Sequence, residues 1–302
     1  MRIAIASSSR VALPTIETIE NSEHELIGLI TAPDAPAGRG RVSTANEFAN
    51  WASDTGRDIS KPIDFVEMMA LITEMAPDLI ITIAYGKLIP EQLLSQVKYG
   101  WLNLHFSLLP KWRGAAPVQW AIKSGESTTG VTVFQLDKGM DTGPIYVIKE
   151  LKISDTSTTD SLLEELSVLG SGAVLTAIDL ILADTVPVKQ QTAGSIAPKI
   201  SKADAAINWF LTKREVDCHI RAMTSNTGAW TKVGGVRLVI NNARSINGDC
   251  RSGELCKIDE AIVIGTSDGA IALEEVTPEG KRLMSGADWF RGARIEVGTF
   301  CE

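Results

Sequence analysis

Short apolar runs and helical segments take turns along the first half of the chain, and this alternation constrains the fold more than any other feature of the sequence. Strands are predicted at 2–6, 25–31, 79–84, 101–105, 129–136 and 144–153, with helices at 11–21, 45–56, 64–75, 90–96 and 115–123. Pro90 suits a first helical turn, where a missing N–H costs nothing. Strands and helices in this order build a Rossmann-like α/β fold, a doubly wound, mostly parallel sheet covered on both faces. Ligands of such sheets bind beyond the carboxyl ends of the strands, so chemistry is expected there.

Two polar residues stand at one such end. Side chains alternate along a strand, so within the run WLNLH at 101–105 Asn103 and His105 share one face while Leu102 and Leu104 take the other. Pro110 cannot continue a ladder, which leaves the polar pair near a loop mouth. Asp141 lies in a second loop, Gly139-Met140-Asp141-Thr142-Gly143, where the glycines permit tight turns that aim a carboxylate inward. A neutral donor, a group titrating near neutrality and an anion to orient it suit transfer through a tetrahedral oxyanion. A strand histidine is more often a satisfied core or surface group, but His24 and His219 have no matching amide and carboxylate.

The 302 residues are enough for two domains. Residues 157–183 read as one helix with apolar spacing at Leu162, Leu163, Leu166, Leu169, Val174, Ile178 and Ile181. After it, 184–202 carries Pro187, Gly194 and Pro198 with little periodicity, as an extended crossing segment would. The expected organisation is therefore a first domain at 1–183, a linker at 184–202 and a second domain at 203–302. In the second, a helix at 213–225 precedes closely spaced strands at 229–233, 236–241, 253–258, 261–266 and 270–276, the pattern of a small OB-like β-barrel.

Several function classes lose support. Ser7-Ser8-Ser9 follows the first strand where a dinucleotide fingerprint would place glycines, and no phosphate-binding G-x-x-x-x-G-K-[ST] loop occurs. The four cysteines form no C-x-x-C pair and no zinc spacing, so no metal is expected. The apolar runs, such as 79–84, are too short to span a bilayer, and the N-terminus lacks a secretory apolar region. No membrane association and a cytoplasmic location are the expectations. A net charge of −8 argues against electrostatic coating of DNA.

Over nearly its whole length the chain resembles the methionyl-tRNA formyltransferases. The resemblance rests on PDAPAGRG at 33–40, AYGKLIP at 84–90, NLHFSLLPKWRGAAP at 103–117 and DKGMDTG at 137–143, in that order and spacing. It implies transfer of the formyl group of 10-formyltetrahydrofolate to the α-amino group of methionyl initiator tRNA, without a metal, by a cytoplasmic enzyme expected to be a monomer. By matching position, Asn103, His105 and Asp141 are the expected catalytic residues. The folate is expected along Ser107, Leu108, Leu109 and Pro110, with Tyr85, Gly86, Lys87 and Ile89 and the 137–141 loop forming its pterin pocket. Arg39 and Arg41 are expected to meet the acceptor stem, with the C-terminal barrel also holding tRNA.

In that chemistry Asn103 and a protonated His105 stabilise the developing oxyanion, while Asp141 keeps the imidazole charged. The chain departs from the family in carrying Ser7-Ser8-Ser9 after the first strand and Phe106 where a small glycine is usual. Two other readings stay open, a formyltransferase acting on glycinamide ribonucleotide or an amino-sugar nucleotide, and a tRNA- or folate-binding protein without catalysis.

Overall fold

The structure, a computed structural model, describes residues 1–37, 42–224 and 228–302. In chain order it forms β1 (Arg2–Ser7), α1 (Leu13–Glu20), β2 (Glu25–Ile30), β3 (Ala35–Ala37), β4 (Val42–Thr44), α2 (Glu47–Asp54), α3 (Phe65–Met75), β5 (Leu79–Ile83), α4 (Glu91–Leu94), β6 (Trp101–His105), α5 (Pro117–Lys123), β7 (Thr128–Gln135), β8 (Ile145–Lys152) and α6 (Thr159–Leu182). There follow α7 (Lys213–Ala222), β9 (Ala229–Val233), β10 (Val236–Ile246), β11 (Leu255–Ile258), β12 (Ala261–Gly265), β13 (Ala270–Pro278), β14 (Met284–Ser285) and α8 (Gly286–Ala293). Two compact units result, one of residues 1–117, 128–152 and 163–198, the other of 118–127, 153–162 and 199–302.

The first unit holds a six-stranded sheet in the order β2-β1-β5-β6-β7-β8. The first four strands are parallel, while β7 runs antiparallel to both β6 and β8. The β7–β8 connection is too short to carry a crossover, which leaves antiparallel pairing as its geometry. On one face Ala4, Ala6, Ile80 and Trp101 pack with Met68 and Ile72 of α3 and Leu93 of α4. The starts of α2 and α3 are fixed by Asn46, which accepts from the Ala49 N–H at 3.0 Å, and Asp64, which accepts from Val66 and Glu67.

The opposite face is covered by α6. A Cβ on Gly170 would lie 2.7 Å from Leu104 Cδ2, so a glycine is what lets the helix approach β6 this closely. With 24 residues α6 is apolar and long enough to cross a membrane. Half of its most apolar stretch is buried, with Leu166, Val174, Ala177 and Ile178 among the core residues, as in the core helix of a water-facing fold.

In the second unit α7 starts on a reciprocal capping box between Thr212 and Glu215. The strand order is β11-β12-β13-β10-β9, antiparallel throughout, with β14 added to β13. β10 extends past its predicted end at 241 because register shifts between Ile240 and Ala243 bend it without breaking its pairing to β13. The β3–β4 hairpin, β14 and α8 are additions to the predicted elements. Residues 299–302 join both edges of the sheet. Lys232 and Glu302 exchange backbone hydrogen bonds of 3.1 and 2.9 Å, and on the other side Leu255 N–H donates to Thr299 and Cys301 N–H to Gly253, each at 2.8 Å. The edge groups of β9 and β11 are thereby paired and the sheet closes into a barrel.

Candidate active site

Asn103 and His105 leave β6 on the Trp101 face, as alternation requires. Across the β5–β6 register Asn103 lies beside Thr82, whose hydroxyl is 2.9 Å from Asn103 Oδ1 and 3.0 Å from the Leu102 carbonyl. A hydroxyl donating to the amide oxygen leaves the amide NH2 as the end offered to a ligand. Thr82 is the one polar side chain in the strand LIITI, and that interruption was the available signal for it.

The loop after β7 starts beside the opposite end of β6, where Leu136 N–H donates to the Trp101 carbonyl at 2.8 Å, then folds back over the sheet face. Gly143 packs against the end of β7 so closely that a Cβ would fall 1.7 Å from the Gln135 carbonyl oxygen. The return brings Asp141 Oδ2 to 3.8 Å from His105 Nδ1, with both side chains largely buried. Asp141 Oδ2 also accepts from the Gly114 N–H at 2.7 Å. Ala84, Trp112 and Asp141 all have positive φ, of 48°, 61° and 54°. Such backbone costs about 1–3 kcal/mol per residue and persists only where neighbouring groups determine it.

His105 Nε2 lies 2.9 Å from the Trp112 carbonyl, which can only accept, so Nε2 carries the proton. Burial pushes the imidazole below its ordinary value, against the pull of Asp141 and the Trp112 carbonyl. Desolvation thus outweighs the partly shielded carboxylate and favours the neutral ring in the free protein. Its Nδ1 lone pair then faces a carboxylate oxygen across 3.8 Å, a gap between two acceptors that a proton would join.

These groups line a cavity of about 440 Å³ together with Tyr85, Gly86, Lys87, Ile89, Phe106 and residues of the 136–141 loop. Its size is that of a small-molecule site. Tyr85 is 4% exposed, its hydroxyl has no partner among the described residues, and burial holds its pKa up at about 12. It is a phenol kept protonated and waiting for an acceptor. Ser8 donates to the Tyr85 carbonyl at 3.0 Å, which gives the serine run after β1 a part in shaping this wall. Phe106 is both buried and part of the lining.

Ser107, Leu108, Leu109 and Pro110 are not brought to the lining. The Ser107 hydroxyl donates to the Lys111 carbonyl at 2.6 Å, the Ser107 carbonyl accepts from Thr132, and Leu109 N–H donates to the Thr132 hydroxyl. Their polar atoms thus hold the turn against β7. Arg39 and Arg41 lie outside the described residues. Among the described residues no group of His, Cys, Asp or Glu is placed to hold a metal ion. Besides Thr82, sequence reasoning passed over Gly114 and Gln190, whose hydrogen bonds join segments far apart in the chain.

Residues 1–178 match the formyl transferase family and residues 199–294 the formyl transferase C-terminal domain. The methionyl-tRNA formyltransferase of Rhodococcus erythropolis is 38% identical over 302 residues, covering 98% of each chain. Among solved structures, HypX from Aquifex aeolicus in complex with tetrahydrofolic acid is similar with a TM-score of 0.66 at 20% identity, over 95% of this chain and 46% of that one. The methionyl-tRNA formyltransferase from Clostridium thermocellum is similar with a TM-score of 0.58 at 17% identity, over 95% of this chain and all of that one.

Proposed function

The chain belongs to the methionyl-tRNA formyltransferases, the enzymes that formylate methionyl initiator tRNA for translation, and we propose that Asn103, His105 and Asp141 carry that transfer with 10-formyltetrahydrofolate as donor. The observation that carries the reading is the convergence of an amide, a buried imidazole and a carboxylate on one 440 Å³ cavity.

Bound in that cavity, the folate supplies an electrophilic formyl group. The Asn103 NH2, oriented by Thr82, donates to the formyl oxygen as negative charge grows on it, a contact whose loss typically costs about 10²–10³ in rate. His105 Nδ1 takes the proton released by the attacking amine and gives it up to the folate nitrogen as the bond from that nitrogen to the formyl carbon breaks, with Asp141 stabilising the imidazolium in between. The Trp112 carbonyl keeps the proton on Nε2 and so fixes Nδ1 as the base. The Tyr85 hydroxyl, buried without a partner among the described residues, fits a polar atom of the folate ring system. Gly86 lets the backbone turn with φ 75°, and Lys87 and Ile89 complete that wall, the lysine as the cation of the lining. Ser107, Leu108, Leu109 and Pro110 support the folate site from beneath by holding the turn after His105.

Arg39 and Arg41 are the residues proposed to meet the tRNA acceptor stem, so Arg39→Ala and Arg41→Ala raise KM for tRNA and leave that for folate unchanged. The working unit is a monomer that meets its tRNA in the cytoplasm, and the chemistry runs without a metal. The deciding experiment offers purified protein 10-formyltetrahydrofolate with methionyl initiator tRNA, methionyl elongator tRNA, glycinamide ribonucleotide and an amino-sugar nucleotide in parallel. Formylation confined to the initiator tRNA is expected, whereas turnover of a small amine would overturn the substrate and retain the site.

A further inference from the structure

We propose that Gln190 is a positioning residue for the Asp141–His105 pair, an inference that rests on the roles given to those two residues above. Residues 188–197 form a strap fastened at two points. At one end Val188 and Ile145 exchange backbone hydrogen bonds of 2.8 and 2.7 Å, shortly after Asp141 in the β7–β8 loop. At the other, Arg113 N–H donates to Ser195 at 2.9 Å and Ala197 N–H donates to Arg113 at 2.7 Å, next to Trp112. The Trp112 N–H itself donates to the Ser195 hydroxyl at 2.9 Å. Gly194 passes so near Pro110 that a Cβ would lie 2.1 Å from its carbonyl oxygen.

Between the fastenings, the Gln190 side chain spans the site's two loops. Its Nε2 donates to the Asp141 carbonyl at 3.0 Å and to the Gly143 carbonyl at 2.7 Å, and its Oε1 accepts from Arg113 Nη2 at 2.8 Å. One amide therefore ties the loop that presents Asp141 to the loop whose Trp112 carbonyl fixes the His105 tautomer. The tie steadies Asp141, whose φ of 54° lies in the left-handed region, one that strains any residue with a Cβ although aspartate tolerates it better than most. With both carbonyls released, the turn relaxes and the carboxylate leaves its place opposite Nδ1. Asp141 raises the pKa of His105 against burial, so the displacement is readable in the imidazole's titration.

The test uses Gln190→Glu, which keeps the acceptor for Arg113 but places a non-donating oxygen against the two carbonyls, and Gln190→Met, which keeps length without polarity. kcat, both KM values and Tm are measured beside Asp141→Ala and His105→Ala, and the His105 titration is followed by NMR in Gln190→Met. Both Gln190 variants are expected to lose about 10- to 100-fold in kcat with KM within about twofold, as for a reacting group misplaced by about 1 Å. In Gln190→Met the His105 midpoint moves lower. Wild-type kcat in either folded Gln190 variant, or a fall in Tm with kcat and titration unmoved, overturns the positioning role while losses in Asp141→Ala and His105→Ala keep the catalytic reading. Wild-type kcat in Asp141→Ala would overturn that reading, and this inference with it.

Discussion

Tyr85→Phe removes one oxygen atom from the cavity wall and is expected to move stability and substrate affinity in opposite directions. The ring is 4% exposed and stays packed, so the change is confined to a hydroxyl buried without a partner among the described residues. An unmet buried polar group costs about 1–3 kcal/mol, so the phenylalanine protein should gain about 1 kcal/mol, a rise of about 2–4 °C in melting temperature. The hydroxyl is a donor at neutral pH, as any phenol is, and burial moves its pKa further up, to about 12. If it meets the folate, losing one hydrogen bond of about 1 kcal/mol weakens donor binding about fivefold. Thermal unfolding of the free protein, and a fluorescence titration with tetrahydrofolate, read the two effects separately. A less stable variant with unchanged folate affinity would refute the assignment, since the hydroxyl would then serve the fold.

Asn103→Ala is expected to lower kcat about 10²–10³-fold at unchanged Tm, and Thr82→Val to lower it less, by freeing the amide it orients; steady-state formylation gives both, and a wild-type Thr82→Val would remove Thr82 from the site. The His105 resonance of the free protein should titrate below the ordinary 6.5 and lower still in Asp141→Asn, because burial lowers this group and Asp141 opposes it; a midpoint above 6.5 contradicts a neutral resting ring. His219 is buried on α7 with its pKa pushed from 6.5 to about 4, chiefly by desolvation. The unfolded chain then binds the extra proton between those values, so stability falls with pH from 6.5 to 4, by about 2 kcal/mol between pH 7 and pH 5. Urea unfolding of His219→Gln should lack that loss, and an equal pH dependence in both proteins would show His219 exposed or already charged.

What the sequence reveals and what it hides separate along the range of the interactions. WLNLH reads as a strand because its alternation is local, and the same alternation places Asn103 and His105 on one face. Asp141 is legible through its flanking glycines, one of which is required by the 1.7 Å approach of Gly143 to Gln135. The lowering of the His105 pKa comes from burial by elements distant in sequence, which a residue-by-residue reading does not see. Gln190 sits in a segment that looks merely extended, and its two carbonyl partners lie nearly fifty residues away. The closure of the second sheet by residues 299–302 uses backbone groups alone, which leave no mark in side-chain pattern. α8 is short, and its start is set by the Ser285 side chain accepting from the Asp288 N–H, a cap without a long apolar period behind it.

The second unit gathers residues 118–127 and 153–162 together with everything after 198, so its parts are interleaved in the chain. Within it the Thr159 hydroxyl donates to the Ala222 carbonyl at 2.8 Å, and Ala121, Ile122 and Leu162 are buried. A gene fragment ending at Pro198 would encode those side chains without the later residues of their own unit. Recombination at residue 198 would thus part residues of one unit, and a hybrid enzyme built from this chain must carry matched segments from three places in the gene.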